Sequence, residues 1–187
     1  MKVYIETDRL IMRNFEDSDV EGIFQLDSDP EVHIYLGKNP IKTIDQAKEI
    51  IDGIKNHYEK NGIGRLAILD KETNDFIGWS GLKYEQEVRE DFDYYDLGYR
   101  LRKKYWGKGI ATEASIESLK YGFDELNLQK IGAGADIDNL ASNRILQKVG
   151  FKLIDKFDFE DDPHNFYEIT KSEWIEKKRT ANNGYSL

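Results

Sequence analysis

Lys104-Tyr105-Trp106-Gly107-Lys108-Gly109-Ile110-Ala111-Thr112-Glu113-Ala114 is the stretch around which the chain is organised. A strand-like run, Tyr94 to Leu101, leads into it, and a long helical pattern leads out. Two glycines one residue apart allow a tight backbone turn where a side chain would obstruct it. The helix start that follows aims unpaired backbone N–H groups, and the positive end of its dipole, into that turn. Such a corner suits a phosphate-bearing ligand.

Outward from this corner, composition bounds the answer. A chain of 187 residues supports one compact domain with a sizeable core. Hydrophobic residues at 39% and aromatic residues at 12% indicate a folded globular protein, while 34% charged residues give it a highly polar surface. No apolar run reaches membrane-spanning length, and the start Met1-Lys2-Val3-Tyr4-Ile5-Glu6 lacks a signal-peptide core. Cysteine is absent, which excludes disulfides, thiolate metal sites and cysteine nucleophiles and fits a cytoplasmic location. A net charge of −9 argues against a general nucleic-acid binder. The charge is uneven: residues 85–96 carry six acidic side chains against Arg89, a net −5, and residues 100–108 carry Arg100, Arg102, Lys103, Lys104 and Lys108, a net +5. The basic run lies on the proposed anion corner.

Along the chain, Arg9 to Phe15 reads as a first strand. Ser18 and Glu21 have capping-box spacing before a helical run. Asp29-Pro30 opens a short helical segment to Leu36. Thr43 to Lys60 is the clearest amphipathic helix, with Ile44, Ala47, Ile51, Ile54 and Tyr58 on one stripe, a capping box at Thr43 and Gln46, and a stop at Asn61-Gly62. Residues 65–69 and 76–82 form a hairpin, and 94–101 is the next strand. Residues 110–126 are helical, 130–137 a strand, 141–149 a helix, and 151–159 and 165–170 strands. A short terminal helix follows at 171–178. The expected organisation is one domain over 1–178 with a frayed tail at 179–187, in a mixed α/β order that is neither a clean βαβ series nor all-β.

The glycine corner is not a P-loop, because Arg102 occupies the position where that motif needs its first glycine. A dinucleotide fingerprint would need a third glycine where Thr112 stands and a βαβ context. A second signal lies in Asn139-Leu140-Ala141-Ser142-Asn143-Arg144-Ile145-Leu146-Gln147-Lys148-Val149-Gly150-Phe151. Asn139 or Ser142 as N-cap and Gly150 as C-terminal glycine account for part of it. They leave unexplained the three small polar side chains massed at one helix start.

Taken together, the two stretches resemble the Gcn5-related N-acetyltransferase superfamily. Lys104-Tyr105-Trp106-Gly107-Lys108-Gly109 fits its Gln/Arg-x-x-Gly-x-Gly/Ala motif with lysine in first position. The extension to Ala114, the run Asn139-x-x-Ser142 to Phe151, the opening Thr7 to Arg13 and the strand Asp96 to Leu101 resemble the branch of the ribosomal-protein-alanine N-acetyltransferases. The likeness covers roughly residues 7–175. It implies an α+β fold with a central, largely antiparallel twisted sheet of about seven strands, a V-shaped splay between strands 4 and 5, and helices on both faces.

The resemblance also implies acetyl-CoA as cosubstrate, no metal, and a division of labour. Backbone amides of Trp106, Gly107, Lys108, Gly109, Ile110, Ala111 and Thr112 would cradle the pyrophosphate, with Arg102, Lys103 and Lys104 adding charge. The pantetheine arm would pair with backbone near Tyr99 and Leu101, and Asn139 and Asn143 would hydrogen-bond it. The usual general-acid tyrosine is replaced by Leu146. Ser142 is then the expected proton donor to the leaving thiolate, with a pure helix-capping role as the alternative, and Asp96 the expected base or substrate-orienting group. His33, His57 and His164 show no triad or metal spacing.

The expected activity is direct acetyl transfer to a primary amine in a ternary complex, by a monomer or homodimer. The acidic stretches 85–96 and 160–162 suit a cationic acceptor, either a protein N-terminal amine or a small amine. A non-catalytic acyl-CoA-binding module of the same fold is the alternative, favoured by Leu146. A nucleotide or redox domain built on the glycine turn would instead bind NAD or ATP.

Overall fold

The computed structural model describes residues 3–86, 88–89, 91–160 and 162–183. Glu87, Glu90 and Asp161 of the acidic stretches, and tail residues 184–187, lie outside them. The elements are β1 (Tyr4–Glu6), β2 (Leu10–Arg13), α1 (Val20–Asp27), α2 (Ile44–Asn61), β3 (Arg65–Asp70), β4 (Phe76–Glu85) and β5 (Tyr94–Leu101). Then come α3 (Ile110–Lys120), β6 (Lys130–Asp136), α4 (Leu140–Val149), β7 (Lys152–Phe159), β8 (Asp162–Thr170) and α5 (Lys171–Asn183). One sheet runs in the order β1-β2-β3-β4-β5-β6-β8-β7.

The sheet has eight strands where about seven were expected. The addition is β1, whose three residues pair with β2 at the sheet edge, too short to leave a periodic signal. Neighbours are antiparallel except β5 and β6, which run parallel because the α3 crossover joins them.

Alternation along the strands covers both faces. In β3, Leu66 and Ile68 pack beneath α3 with Leu10, Met12, Ile77, Ile110 and Ala114, whereas Ala67 packs beneath α1 and α2 with Ile23, Leu26, Ala47 and Ile51. The second half of the sheet carries its own cluster, in which Leu97, Leu119, Phe123, Ile131, Leu146, Tyr167 and Trp174 meet.

Helix α2 starts as its sequence predicts, with a reciprocal Thr43–Gln46 capping box, and ends at Gly62 with φ 69°. Four expectations shift. The box before α1 is formed by Glu16 and Asp19 around a 3-10 turn at Asp17–Asp19, not by Ser18 and Glu21. The reason lies in Arg13, whose guanidinium fixes the buried Asp19 carboxylate at 2.8 and 2.9 Å. Residues 29–38 are successive turns, not a helix. Beyond Lys120 the helix widens into one π turn, Tyr121–Glu125. Helix α5 continues past Lys178 to Asn183.

Among the described residues no helix is long and apolar enough to cross a membrane.

Candidate functional site

Strands β5 and β6 are joined by a single bridge, Asp96 with Gly132. Beyond it, β5 stays paired with β4 and β6 with β8, so the two strands part towards their C-terminal ends. Arg102 N–H donates to Ile77 O on β4, at 2.9 Å. Backbone groups alternate along a strand, so those of Tyr99 and Leu101 face away from β4, into the opening. Leu101 O confirms the alternation: its partner is the Trp106 indole N–H at 2.7 Å.

The glycine corner stands at the mouth of this opening. Gly107 and Gly109 have φ of 71° and 76°, the left-handed region that favours glycine. Gly109 is the N-cap of α3 and has no side chain to occupy the first-turn amides. Ile110 and Ala114 are buried and anchor the helix, Ala111 and Thr112 are half-buried, and Trp106 is exposed. Arg9, from the opening motif, donates to Lys108 O at 3.0 Å and pairs with Glu113, whose other oxygen accepts from Thr7 at 2.6 Å. These contacts tie the N-terminal strands to the corner.

The basic side chains of the corner are engaged. Arg102 donates to Asp75 at 3.1 Å and to Phe76 O at 2.8 Å, Lys104 pairs with the same Asp75, and Lys103 with Glu31 at 2.5 Å. Lys108 lies over the Tyr105 ring, 5.4 Å from its centroid. Hydrogen bonds from Lys104 and Tyr105 hold the Asp75 carboxyl down at about 2, from an ordinary 3.8. A lowered pKa contributes stability above the unfolded value and loses it as pH falls through the folded one. Parent and Asp75→Asn melting temperatures should therefore differ above pH 4 and converge towards pH 2, as calorimetry across that window would show.

At the start of α4, Asn139 accepts from Ser142 N–H at 3.1 Å as a side-chain cap. Asn143 is buried and fully engaged. Its amide donates to Asp136 O and Asn139 O at 2.8 Å each and accepts from Asn165 at 2.8 Å and Tyr167 at 2.7 Å. Two donors and two lone pairs are thereby used within the protein, so a pantetheine contact through this side chain would have to replace one of these partners. Ser142 is half-buried, and its hydroxyl lies 3.0 Å from the Tyr99 phenol, which also donates to Ser142 O at 3.1 Å. Burial pushes the Tyr99 phenol pKa well above its ordinary value, so it stays protonated. Leu146 is buried in the core beneath α4.

Asp96 sits at the bridge on the opposite face, where its carboxylate is paired with Arg65. Arg65 also donates to Asp96 O at 2.7 Å and Gly81 O at 2.6 Å. Gly98 makes room for this: a Cβ there would meet the Arg65 guanidinium carbon at 2.7 Å. Beside it, Trp79 lies between Arg65 and Arg100, each 5.3 Å from the ring centroid. Arg100 bonds Asp27 at 2.5 Å, and His33 lies 3.6 Å from that buried carboxylate. Sequence reasoning missed the Tyr99 phenol, Arg65 and the Asp27–His33–Arg100 group, because none has a local spacing that announces it.

At the N-terminal ends of β5 and β6 a cleft of about 210 Å³ is lined by Tyr84, Asp93, Tyr94, Tyr95, Lys130 and Glu168, among others.

Three comparisons place these features. Residues 9–152 match the family model described as Acetyltransferase (GNAT) domain. The uncharacterized N-acetyltransferase YoaA of Bacillus subtilis (strain 168) is 38% identical over 149 residues, covering 79% of this chain and 82% of its own. Among solved structures, a GNAT-family acetyltransferase from Bacillus anthracis superposes with a TM-score of 0.74 at 25% identity, over 91% of this chain and 99% of its own. The spermidine N-acetyltransferase of Vibrio cholerae, solved with CoA and spermine, has the same fold. Its TM-score is 0.74 at 20% identity, over 90% and 99% of the two chains.

Proposed function

The chain belongs to the GNAT acetyltransferase family, and from that premise we propose that it moves the acetyl group of acetyl-CoA directly to a primary amine in a ternary complex. The observation that carries this reading is the parting of β5 and β6 after one bridge, with the glycine corner at its mouth and two hydroxyls on one wall.

The corner's amides, from Trp106 to Thr112, hold the pyrophosphate, and the ion pairs of Arg102, Lys103 and Lys104 keep the corner in shape. The Tyr99 and Leu101 backbone receives the pantetheine arm and aligns the thioester carbonyl, where an N–H stabilises the developing oxyanion. Asn139 keeps Ser142 at the first turn of α4. Asp96 orients the amine: one of its oxygens is already held by Arg65, so water removes the first proton of the incoming ammonium. After attack the C–S bond breaks and its electron pair stays on sulfur. Ser142 passes its proton to that sulfur and takes the second proton from the new amide nitrogen.

Asp93 among tyrosines, and the spermine-bound Vibrio cholerae enzyme, support a cationic acceptor such as a polyamine, although Lys130 already pairs with Glu168 in the same cleft. A peptide with N-terminal alanine is the second candidate, on the sequence likeness to the ribosomal-protein branch. Free-CoA release should be measured with spermidine, amino sugars and alanine-terminated peptides. At least one should raise it well above the hydrolytic background. CoA binding with no stimulation by any of them would leave a non-catalytic acyl-CoA-binding module, the reading favoured by leucine at 146.

A further inference from the structure

We propose that Tyr99 is a positioning residue for proton delivery, its buried phenol donating into the Ser142 hydroxyl and turning that hydroxyl's own proton towards the CoA sulfur. The proposal rests on the function proposed above and adds a residue to it.

The hydrogen-bond geometry allows two arrangements. The Tyr99 oxygen is 3.1 Å from Ser142 O and 3.0 Å from Ser142 Oγ, and it has one proton to give. If that proton goes to the carbonyl, the phenol oxygen is left to accept from Ser142, whose proton then points away from the opening. If it goes to Oγ, the Ser142 proton is released to another acceptor. A thiolate forming in the opening selects the second arrangement, because a chain of donors ending on an anion is stronger than either link alone. Only hydrogens move between the two.

The position of Tyr99 makes this specific. Its backbone lines the opening while its side chain crosses to α4, so one residue touches both walls. The pair joins residues 43 positions apart, and Ser142 is itself fixed through its backbone N–H by Asn139. The helix-borne tyrosine position is filled by the buried Leu146. The phenol therefore reaches α4 from the strand instead.

The test needs no acceptor amine. Ultraviolet absorbance of the thiolate reports the titration of CoA bound to the full chain, with calorimetry giving the CoA affinity of each variant. Bound CoA should ionise at lower pH than free CoA. Tyr99→Phe and Ser142→Ala should each reduce the bound thiolate fraction at a fixed pH by about tenfold, the worth of one hydrogen bond to a charged group. The double variant should lose no more than either single one, and Ser142→Thr, which keeps a hydroxyl, should retain most of the effect.

Tyr99→Phe titrating like the parent while Ser142→Ala shifts would overturn the role of Tyr99 and leave that of Ser142 standing. Additive losses would overturn it too, as would loss of CoA affinity in Tyr99→Phe at a pH low enough to keep the bound thiol protonated, since the phenol would then serve binding. An unshifted Ser142→Ala would remove the donor role of Ser142 itself.

Discussion

Arg65→Met should lower the stability of the folded chain by about 3 kcal/mol, the lower end of the cost of stranding one partner of a buried ion pair. The pair qualifies: the Arg65 and Asp96 side chains are 12% and 13% exposed. Methionine would preserve much of the aliphatic packing, but it would take from Asp96 the cation paired with it and from Gly81 O and Asp96 O a donor each. It would also remove one of the two guanidinium groups flanking Trp79. For a chain of this size the loss corresponds to a fall of about 10 °C in Tm. Asp96→Asn should cost less, because Arg65 would keep its two carbonyl acceptors and gain an amide oxygen in place of the carboxylate. Differential scanning calorimetry at neutral pH ranks the two. A fall under about 2 °C for Arg65→Met would mean that water already screens the pair.

What the sequence made legible was whatever a short stretch of backbone dictates by itself. Gly107 and Gly109 stand where φ is positive, Thr43 and Gln46 close a box within one turn, and Asn139 caps α4. Each depends on neighbours a few residues away, so spacing alone reveals it. The box before α1 escaped for another reason: the ion pair with Arg13, at the end of β2, decides which acidic residue is buried, and capping-box spacing does not report it. Asn143 shows the same limit. Its type and place suggested a ligand contact, and no spacing announced that Asn165 and Tyr167 reach it from β8 and use both its lone pairs. The pairs Arg65–Asp96 and Tyr99–Ser142 depend on strand register and on how α4 sits against β5. No window of sequence contains either. The corner proposed to hold the cofactor could be read directly, whereas the groups proposed to act on the thioester emerge only when the strands are in place.

The strongest test of the corner is Gly109→Val, for which CoA affinity should fall about a hundredfold. At φ 76° a β-branched side chain is strongly disfavoured, and even a simple L-residue costs about 1–2 kcal/mol there. The space around Gly109 is open among the described residues, with the end of the Arg9 side chain 3.9 Å from where a Cβ would stand, so the chain would relieve the strain by rotating the backbone. Rotation at the N-cap would reorient the amides of Lys108, Gly109 and Ile110, which are proposed to hold the phosphate. Losing two charge-assisted hydrogen bonds to phosphate amounts to about 3 kcal/mol, which is the hundredfold. Ile110 and Ala114 would hold the rest of α3 in the core, so the domain should stay folded with a Tm lowered by a few degrees. Calorimetry with CoA and with S-acetylpantetheine separates the two parts of the ligand. The variant should lose affinity for CoA but not for the arm alone, which has no pyrophosphate. An affinity for CoA within threefold of the parent would place the phosphates elsewhere on the protein, and equal losses for both ligands would mean that the substitution had closed the opening between β5 and β6.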